Sequence, residues 1–475
     1  MPVSPARAAA FEILLRIETT DAYASELLHS VRFAKLSPAD HGLLTELVMG
    51  VQRWRGVLDN KIAEHYGRPP SDGVASGEIP VLVAKSATRT GHPDRALGKL
   101  DLEVLTVLRL GAYQILFLER VPRHAAVNES VELVKSAHKR SAAGLVNAVL
   151  RKIHGTDFKP DYRAAHPRWL VERWERIYGP DITRKICEYN ESAPETSVRI
   201  DPHPSETTKG GAPSNVGTAA STYAVDVAAE RIQFEPGKLL TQTVIVTSGD
   251  ISRTAAFREH RLTIQDEASQ LVALLVGPGN AILDCCAAPG GKTRILAERN
   301  PNATVLALEL HPHRARLLRK LVPNSSVRVL IGDARQPPFE TRFDRVLVDA
   351  PCTGTGTLAR NPEIKWRLDP DDILRMQSYQ LELLMSAMNL VVPSGRVIYS
   401  TCSLEPEENQ DVVEQALSRN PSFLRLNCCD ELLRLCDEGE ITRNVIDSLL
   451  LGPYLRTIPG VHSCDGFFAA ILEKR

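Results

Sequence analysis

From Pro5 to about Tyr178, apolar residues return every three or four positions through five stretches: ARAAAFEILLRIE, HGLLTELVMGVQRWRGVLDNKIAEH, LEVLTVLRLGAYQILFLE, NESVELVKSAHKR and GLVNAVLRKI. A helix turns once in about 3.6 residues, so this spacing gathers one apolar stripe per helix, and the stripes can only be buried against one another. An all-α bundle is predicted over residues 1–180. Within it, Gly67 to Lys99 is rich in Gly, Pro, Ser and Arg, shows no period and reads as a surface insertion. Over 181–263 the texture changes to short β-rich runs, TSVRID, TQTVIVTS and RLTIQD, around a polar segment, HPSETTKGGAPSNVGTAAST, that buries little. A small α/β connector subdomain with a flexible loop is expected there.

The last region, 264–475, alternates near-continuous apolar runs (AILDC, TVLALEL, VRVLIGDA, FDRVLVDA, GRVIYST) with amphipathic stretches (KTRILAER, HRARLLRKL, DPDDILRMQSYQLELLMSAMNLV). Strands buried on both faces and separated by helices predict an α/β doubly wound, Rossmann-like parallel sheet. Asp369 is placed to cap the last of these helices, with Pro370 at its first position.

Composition narrows the class. The chain has 475 residues, 43% hydrophobic and 24% charged, enough for two or three domains with their own cores. The first residues lack the pattern of a signal peptide, and no apolar run approaches the ~18 residues of a membrane helix, so a cytoplasmic protein without a membrane partner is expected. Nine cysteines, an odd and irregularly spaced set, read as thiols rather than a disulfide framework. A net charge of −1 shows no global preference for a polyanion. Locally, Lys139 to Lys185 holds eleven Lys/Arg against five Asp/Glu, with Trp169 and Trp174 interleaved. That mix suits phosphate contact and base stacking, or else a solvated helix anchored by its tryptophans.

In a doubly wound sheet, ligands lie outside the carboxyl ends of the strands. The five strands end in Asp284, Glu309, Asp333, Asp349 with Cys352 just beyond, and Thr401 with Cys402. Four carboxylates and two thiols on one rim call for a chemical explanation. The first strand runs into DCCAAPGGKT, where Gly290 and Gly291 allow close backbone approach and the next helix offers free N–H groups. A P-loop would need Gly where the chain has Cys286, and no GxGxxG fingerprint is present. Glu309, twenty-five positions after Asp284, suits a grip on ribose hydroxyls. A nucleoside bound without a phosphate cradle points to S-adenosyl-L-methionine. Asp284 either binds a ligand or orients the glycine loop. As residues alone, Cys352 and Cys402 are open to core-filler, redox, zinc or catalytic readings; adjacent cysteines and the lack of a CxxC pair count against metal or redox use, and no metal site is expected.

Taken together, DCCAAPGGKT, DAPCTGTGT, NPEIKW, YSTCSLEPEEN and the tail LRTIPGVHSCDGFFAAILEK resemble the Nop/Sun family of RNA cytosine-C5 methyltransferases. VPRHAAVNESVELVK and GLVNAVLRKI are similar to the NusB-like domain of its bacterial RsmB/Sun 16S rRNA branch. The resemblance spans nearly the whole chain. It implies a S-adenosyl-L-methionine-dependent 16S rRNA (cytosine-C5)-methyltransferase in which Cys402 is the nucleophile at cytosine C6 and Cys352 assists proton removal and breakdown of the adduct. It further implies that Cys286, Ala287, Ala288, Pro289, Gly290, Gly291 and Lys292 line the cofactor's methionine end, that Glu309 takes the ribose and Asp333 the adenine amino group. Asp349 is expected at both cofactor and base. A free thiol is mostly protonated near neutrality, so the site needs help, and Lys292 supplies positive charge if it turns inward. Asn361, Pro362, Lys365 and Trp366 are candidates for contacts near a flipped base in single-stranded small-subunit rRNA. The same chemistry on tRNA and a non-catalytic RNA-binding assembly factor are the competing readings, and a monomer is the simpler oligomeric state.

Overall fold

The computed structural model describes residues 3–33, 35–66, 100–155, 158–200, 232–259, 261–322 and 324–475. The expected insertion from Gly67 to Lys99 and the polar loop from His203 to Thr222 lie outside them. The chain forms two compact units, one made of Met1–Ala193 with Leu358–Leu368, the other of Pro194–Thr357 with Asp369–Arg475.

The first unit is helical: Pro5–Thr19, Ala24–Leu28, Pro38–His65, Leu102–Phe117, Arg123–Ser136, Ala143–Leu150, Arg168–Tyr178 and Pro180–Asn190. The three-and-four spacing places Ile13, Leu14, Leu44, Leu47, Leu58, Ile62 and Leu105 in one core, all fully buried. Ser37 caps the longest helix by accepting the Asp40 N–H, with Pro38 at the first turn. Within the core, Arg109 grips Asp59 with two hydrogen bonds of 2.7 and 2.8 Å. Such a bidentate pair satisfies both charges where neither could be left alone. Trp174 is fully buried, its ring against the edge of His166 at 5.9 Å, so it serves the core and is not a stacking platform for bases. Several cations of the Lys139–Lys185 tract are also paired, Lys139 with Asp101, Arg163 with Glu175 and Arg184 with Glu188.

Leu358–Leu368 belongs to this unit although it follows the Cys352 turn in sequence. It holds one helical turn, Ile364–Arg367. The Lys365 ammonium is completely buried, donating to the Arg53 carbonyl at 2.8 Å and to the Glu191 carboxylate. Trp366 Nε1 donates to the Gln52 carbonyl at 2.9 Å, Arg367 to the carbonyls of Ile17 and Ala22 at 2.8 Å, and the Glu363 carboxylate accepts the Ala24 N–H at 2.8 Å. Burial pushes the Glu191 carboxyl up to about 7 and the Lys365 ammonium down, and each sustains the other's charge. The sequence set Lys365 and Trp366 beside a target base; the structure commits both polar heads to the helical unit instead.

The second unit carries two sheets. Strands β1 (Thr196–Ile200), β2 (Gln233–Pro236), β3 (Thr243–Ser248) and β4 (Leu262–Ile264) form an antiparallel sheet in the order β2-β3-β1-β4. The larger sheet contains β5 (Ala281–Asp284), β6 (Thr304–Glu309), β7 (Val327–Ile331), β8 (Phe343–Asp349) and β9 (Val391–Thr401), which are parallel and ordered β9-β8-β5-β6-β7. These five strands form the expected doubly wound parallel sheet, which antiparallel strands extend at one edge: β13 (Phe468–Lys474) pairs with β9, β10 (Phe423–Leu426) and β12 (Tyr454–Arg456) pair with β13, and β11 (Leu450–Leu451) pairs with β12. The tail folds back on the β9 edge, which would otherwise present unpaired backbone groups. Apolar cores lie under the helices, one around Leu271, Ile295 and Leu432, the other around Leu384, Met388 and Val413. Asp369 accepts the N–H groups of Asp371 and Asp372 in a capping box, with Pro370 opening the helix to Asn389. Among the described residues no helix is long and apolar enough to cross a membrane.

Candidate active site

Chain order makes β5 the first strand of the parallel set, with β6 and β7 added on one side and β8 and β9 on the other. The gap between the carboxyl ends of β5 and β8 is therefore a topological switch point, where diverging connections leave a crevice. The cysteines and the cofactor-site residues predicted from the sequence lie on this rim or in the turns just beyond it, whereas Asn361, Pro362, Lys365 and Trp366 belong to the helical unit. Asp284, Glu309 and Asp349 are the last residues of β5, β6 and β8, Asp333 follows β7 by two positions, and Cys402 follows β9 by one.

The turn after β5 leaves the sheet in extension, with the Cys285 N–H bonded to the Leu347 carbonyl and the Ala287 N–H to the Leu308 carbonyl. Gly290 then adopts φ +121°, and a Cβ there would fall 2.7 Å from Val322 and 2.8 Å from Leu318, so only glycine fits. The helix Gly291–Arg299 begins immediately, presenting bare N–H groups. Asp284 is buried beneath this turn; its Oδ2 accepts the Thr293 hydroxyl at 2.7 Å, while its Oδ1 has no hydrogen-bond partner within the protein. Burial pushes its carboxyl up to about 6. Glu309 is buried as well, with one oxygen accepting the His311 N–H at 2.8 Å. Asp333 is half-buried, held by Arg335 at 2.7 Å, and that guanidinium holds its carboxyl below the usual range. An orphaned acceptor, a glycine turn with no room for a side chain and a carboxylate at the end of the neighbouring strand suit the amino-acid and ribose parts of S-adenosylmethionine.

In the first turn of the helix that follows, the Lys292 side chain points inward. Its Nζ lies 2.7 Å from Asp349 Oδ2 and 5.1 Å from the Phe467 ring centroid. Burial works against the ammonium, but the Asp349 carboxylate, by charge and hydrogen bond, outweighs it with help from Cys402, and the Lys292 pKa ends above its ordinary value. Asp349 Oδ1 accepts the Ser400 hydroxyl at 2.8 Å, so both carboxylate oxygens are oriented. Cys352 and Cys402, fifty residues apart in sequence, meet with their sulfurs 3.1 Å apart. The hydrogen bond to Cys402, followed by burial, pushes the Cys352 thiol well above the ordinary range. All nine cysteines are free thiols.

The sequence placed these residues on one rim, where the structure also brings them together, but did not show what holds the two cysteine turns. Glu408, inside the quoted YSTCSLEPEEN, is fully buried and accepts from Thr353 N (2.9 Å), the Thr353 hydroxyl, the Ser403 hydroxyl (2.7 Å) and Gln380 Nε2 (2.8 Å). The available signal was the hydroxyl residue next to each cysteine, a donor that a buried turn must satisfy.

Residues 271–473 match the family model described as 16S rRNA methyltransferase RsmB/F, residues 4–75 and 89–155 match the NusB family, and residues 166–209 match a ferredoxin-like domain of RsmF/B-like methyltransferases. The chain is 32% identical to the Bacillus subtilis (strain 168) protein named probable ribosomal RNA small subunit methyltransferase B, over 100% of both chains. It is 30% identical to the ribosomal RNA small subunit methyltransferase B of Vibrio cholerae, covering 93% of this chain and 91% of that one. A solved structure of a methyltransferase homolog protein from Pyrococcus horikoshii superposes with a TM-score of 0.51 at 26% identity, covering 65% of this chain and 96% of that one. With whole-length identity to the first and a rim that fits the methyl donor, the chain belongs to the 16S rRNA methyltransferase RsmB/F family and uses S-adenosyl-L-methionine.

Proposed function

We propose that the protein methylates carbon 5 of a cytosine in small-subunit rRNA, through a covalent bond between Cys402 and carbon 6 of the base. The observation that carries this reading is the pair of thiols 3.1 Å apart beside the Lys292–Asp349 ion pair at the switch-point rim. Carbon 5 of cytosine is a weak nucleophile. Addition of the Cys402 thiolate at carbon 6 makes it enamine-like, and Asp349, hydrogen-bonded to the base at a protonated N3, draws electrons from carbon 6. Bound S-adenosylmethionine supplies an electrophilic sulfonium methyl, which carbon 5 takes. The proton on carbon 5 must then leave to a base and the Cys402 sulfur must depart, restoring the aromatic ring. Cys352 is placed to assist both steps: its sulfur lies 3.1 Å from that of Cys402, within reach of the bond being broken. Lys292 offsets the negative charge that accumulates on Cys402 and Asp349.

In the same reading Cys286, Ala287, Ala288, Pro289, Gly290 and Gly291 line the methionine end of the donor, Glu309 binds the ribose and Asp333 the adenine amino group. The helical unit positions a single-stranded or looped cytosine. The test is incubation of Cys402→Ala and Cys352→Ala with small-subunit rRNA and methyl-labelled donor. Cys402→Ala is expected to lose both methyl transfer and any denaturation-resistant protein–RNA adduct, and Cys352→Ala to accumulate adduct, with 5-methylcytosine as the product of the unsubstituted enzyme. Methyl transfer surviving in Cys402→Ala would overturn the assignment.

A further inference from the structure

Hydroxyl-bearing residues flank the two thiols: Thr353 follows Cys352, while Thr401 and Ser403 stand on either side of Cys402. All three are buried, and all three end on the adjacent residues Glu408 and Asn409. Glu408 takes the Thr353 hydroxyl and N–H with the Ser403 hydroxyl, and Asn409 takes the Thr401 hydroxyl on Oδ1 at 2.5 Å while its Nδ2 donates to the Ser403 carbonyl at 2.9 Å. Gln380 fixes the far side, donating to Glu408 at 2.8 Å and to the Pro351 carbonyl at 2.9 Å. The Tyr399 hydroxyl closes the arrangement on the Glu408 carbonyl at 2.6 Å. Around the sulfur–sulfur contact, the Gly354 N–H on the Cys352 sulfur and the Gly356 N–H on the Cys402 carbonyl, the two turns are held through the neighbours of the cysteines.

We propose that Glu408 is the positioning residue of the two-cysteine reaction put forward above, a buried carboxylate that sets the distance between Cys352 and Cys402 by binding the turn that carries each. Glu408 accepts from both turns at once, reinforcing the direct ties between them, the Thr353 and Ser403 hydroxyls 3.2 Å apart, the Leu404 N–H on the Thr355 hydroxyl at 2.9 Å and the Gly356 N–H on the Cys402 carbonyl at 2.9 Å. Four donors converge on its two oxygens, so removing the carboxylate leaves donors on both turns unmatched and free to drift apart. A drift of about 1 Å at a reacting centre is enough for about a hundredfold loss of rate.

The experiment measures thiol proximity directly in the full chain. Equilibration with glutathione and glutathione disulfide converts the two thiols to a protein disulfide while one glutathione disulfide is reduced to two glutathione molecules. Peptide mapping then gives the Cys352–Cys402 effective concentration without any use of methyl transfer. Glu408→Ala is expected to lower it by about tenfold or more, and to lower kcat for methyl transfer with KM for RNA unchanged. Glu408→Gln is expected to restore both, because its carbonyl oxygen can keep the Thr353 N–H and Gln380 while the two hydroxyls reverse to accept from its amide nitrogen. An effective concentration unchanged within about twofold in a folded Glu408→Ala protein overturns the proposal. If Glu408→Ala does not melt cooperatively, Thr353→Val, which removes one hydroxyl at constant volume, is judged by the same criterion. A drop in thiol proximity alongside methyl transfer that survives in Cys402→Ala supports the positioning role and defeats the two-cysteine reaction, so the two failures are distinct.

Discussion

Asp284 shows how much one carboxylate can carry. It is 1% exposed, satisfied on one oxygen only, and its carboxyl sits at about 6, above the ordinary 3.8, mainly because burial disfavours the charge. A carboxyl with a raised folded-state pKa binds its proton more tightly in the folded protein than in the unfolded chain. Its contribution to stability is therefore complete below the unfolded value and is lost as pH rises through about 6. The difference corresponds to about 3 kcal/mol by neutral pH. Asp284→Asn, which has no charge to bury, is expected to gain that amount on the wild type between about pH 4 and pH 7 in chemical unfolding without methyl donor. Parallel profiles would mean that the charge is met by a partner other than Thr293.

At the scale of elements, the five parallel strands lie where the apolar runs place them, because buried parallel strands carry their signal in every residue. The helix from Pro370 was equally legible, since its cap, its proline and its period agree. The antiparallel strands of the carboxyl-terminal tail were not. FAAILEK in β13 is as continuously apolar as a parallel strand, and strand direction depends on where the chain re-enters the sheet, which composition does not encode. Within the site, the rim carboxylates and thiols could be found from strand ends alone, whereas Glu408 sits in an acidic run that looks solvated. Lys365 misled for a related reason: a lysine beside a tryptophan in a loop looks like an RNA contact until its partner, Glu191, arrives from far along the chain. Both side chains of that pair have no solvent exposure, so the pair is an all-or-none element. Lys365→Met, which strands the Glu191 charge, is expected to destabilise the helical unit by about 3–5 kcal/mol, and Lys365→Met with Glu191→Leu to recover most of it. Denaturant midpoints of the two singles and the double read this out; additive losses would show that the two charges do not depend on each other.

Across the whole molecule, the helical unit is not contiguous in sequence, because Leu358–Leu368 completes it. A fragment ending at Ala193 would lack the lysine that meets Glu191 and the groups that satisfy the carbonyls of Ile17, Ala22, Gln52 and Arg53. Such a fragment is expected to melt lower than the corresponding transition of the full chain. A synthetic peptide of residues 358–368 should raise its melting temperature, and the same peptide with Met in place of Lys365 should raise it less. Equal shifts from both peptides would mean that the lysine is not what the fragment lacks.

The same discontinuity sets a timetable for biosynthesis. When Ala193 leaves the ribosome, the helical unit still lacks its last piece, and roughly 175 more residues must be translated before Leu368 leaves it in turn. At about 5–20 residues per second this is a wait on the order of ten to thirty seconds. Throughout that interval Glu191 has no lysine to meet, and the nascent helices can become complete only after the chain has passed through β5 and β8 and the Cys352 turn. The amino-terminal half thus finishes folding after much of the catalytic half has been synthesised, against the usual vectorial order.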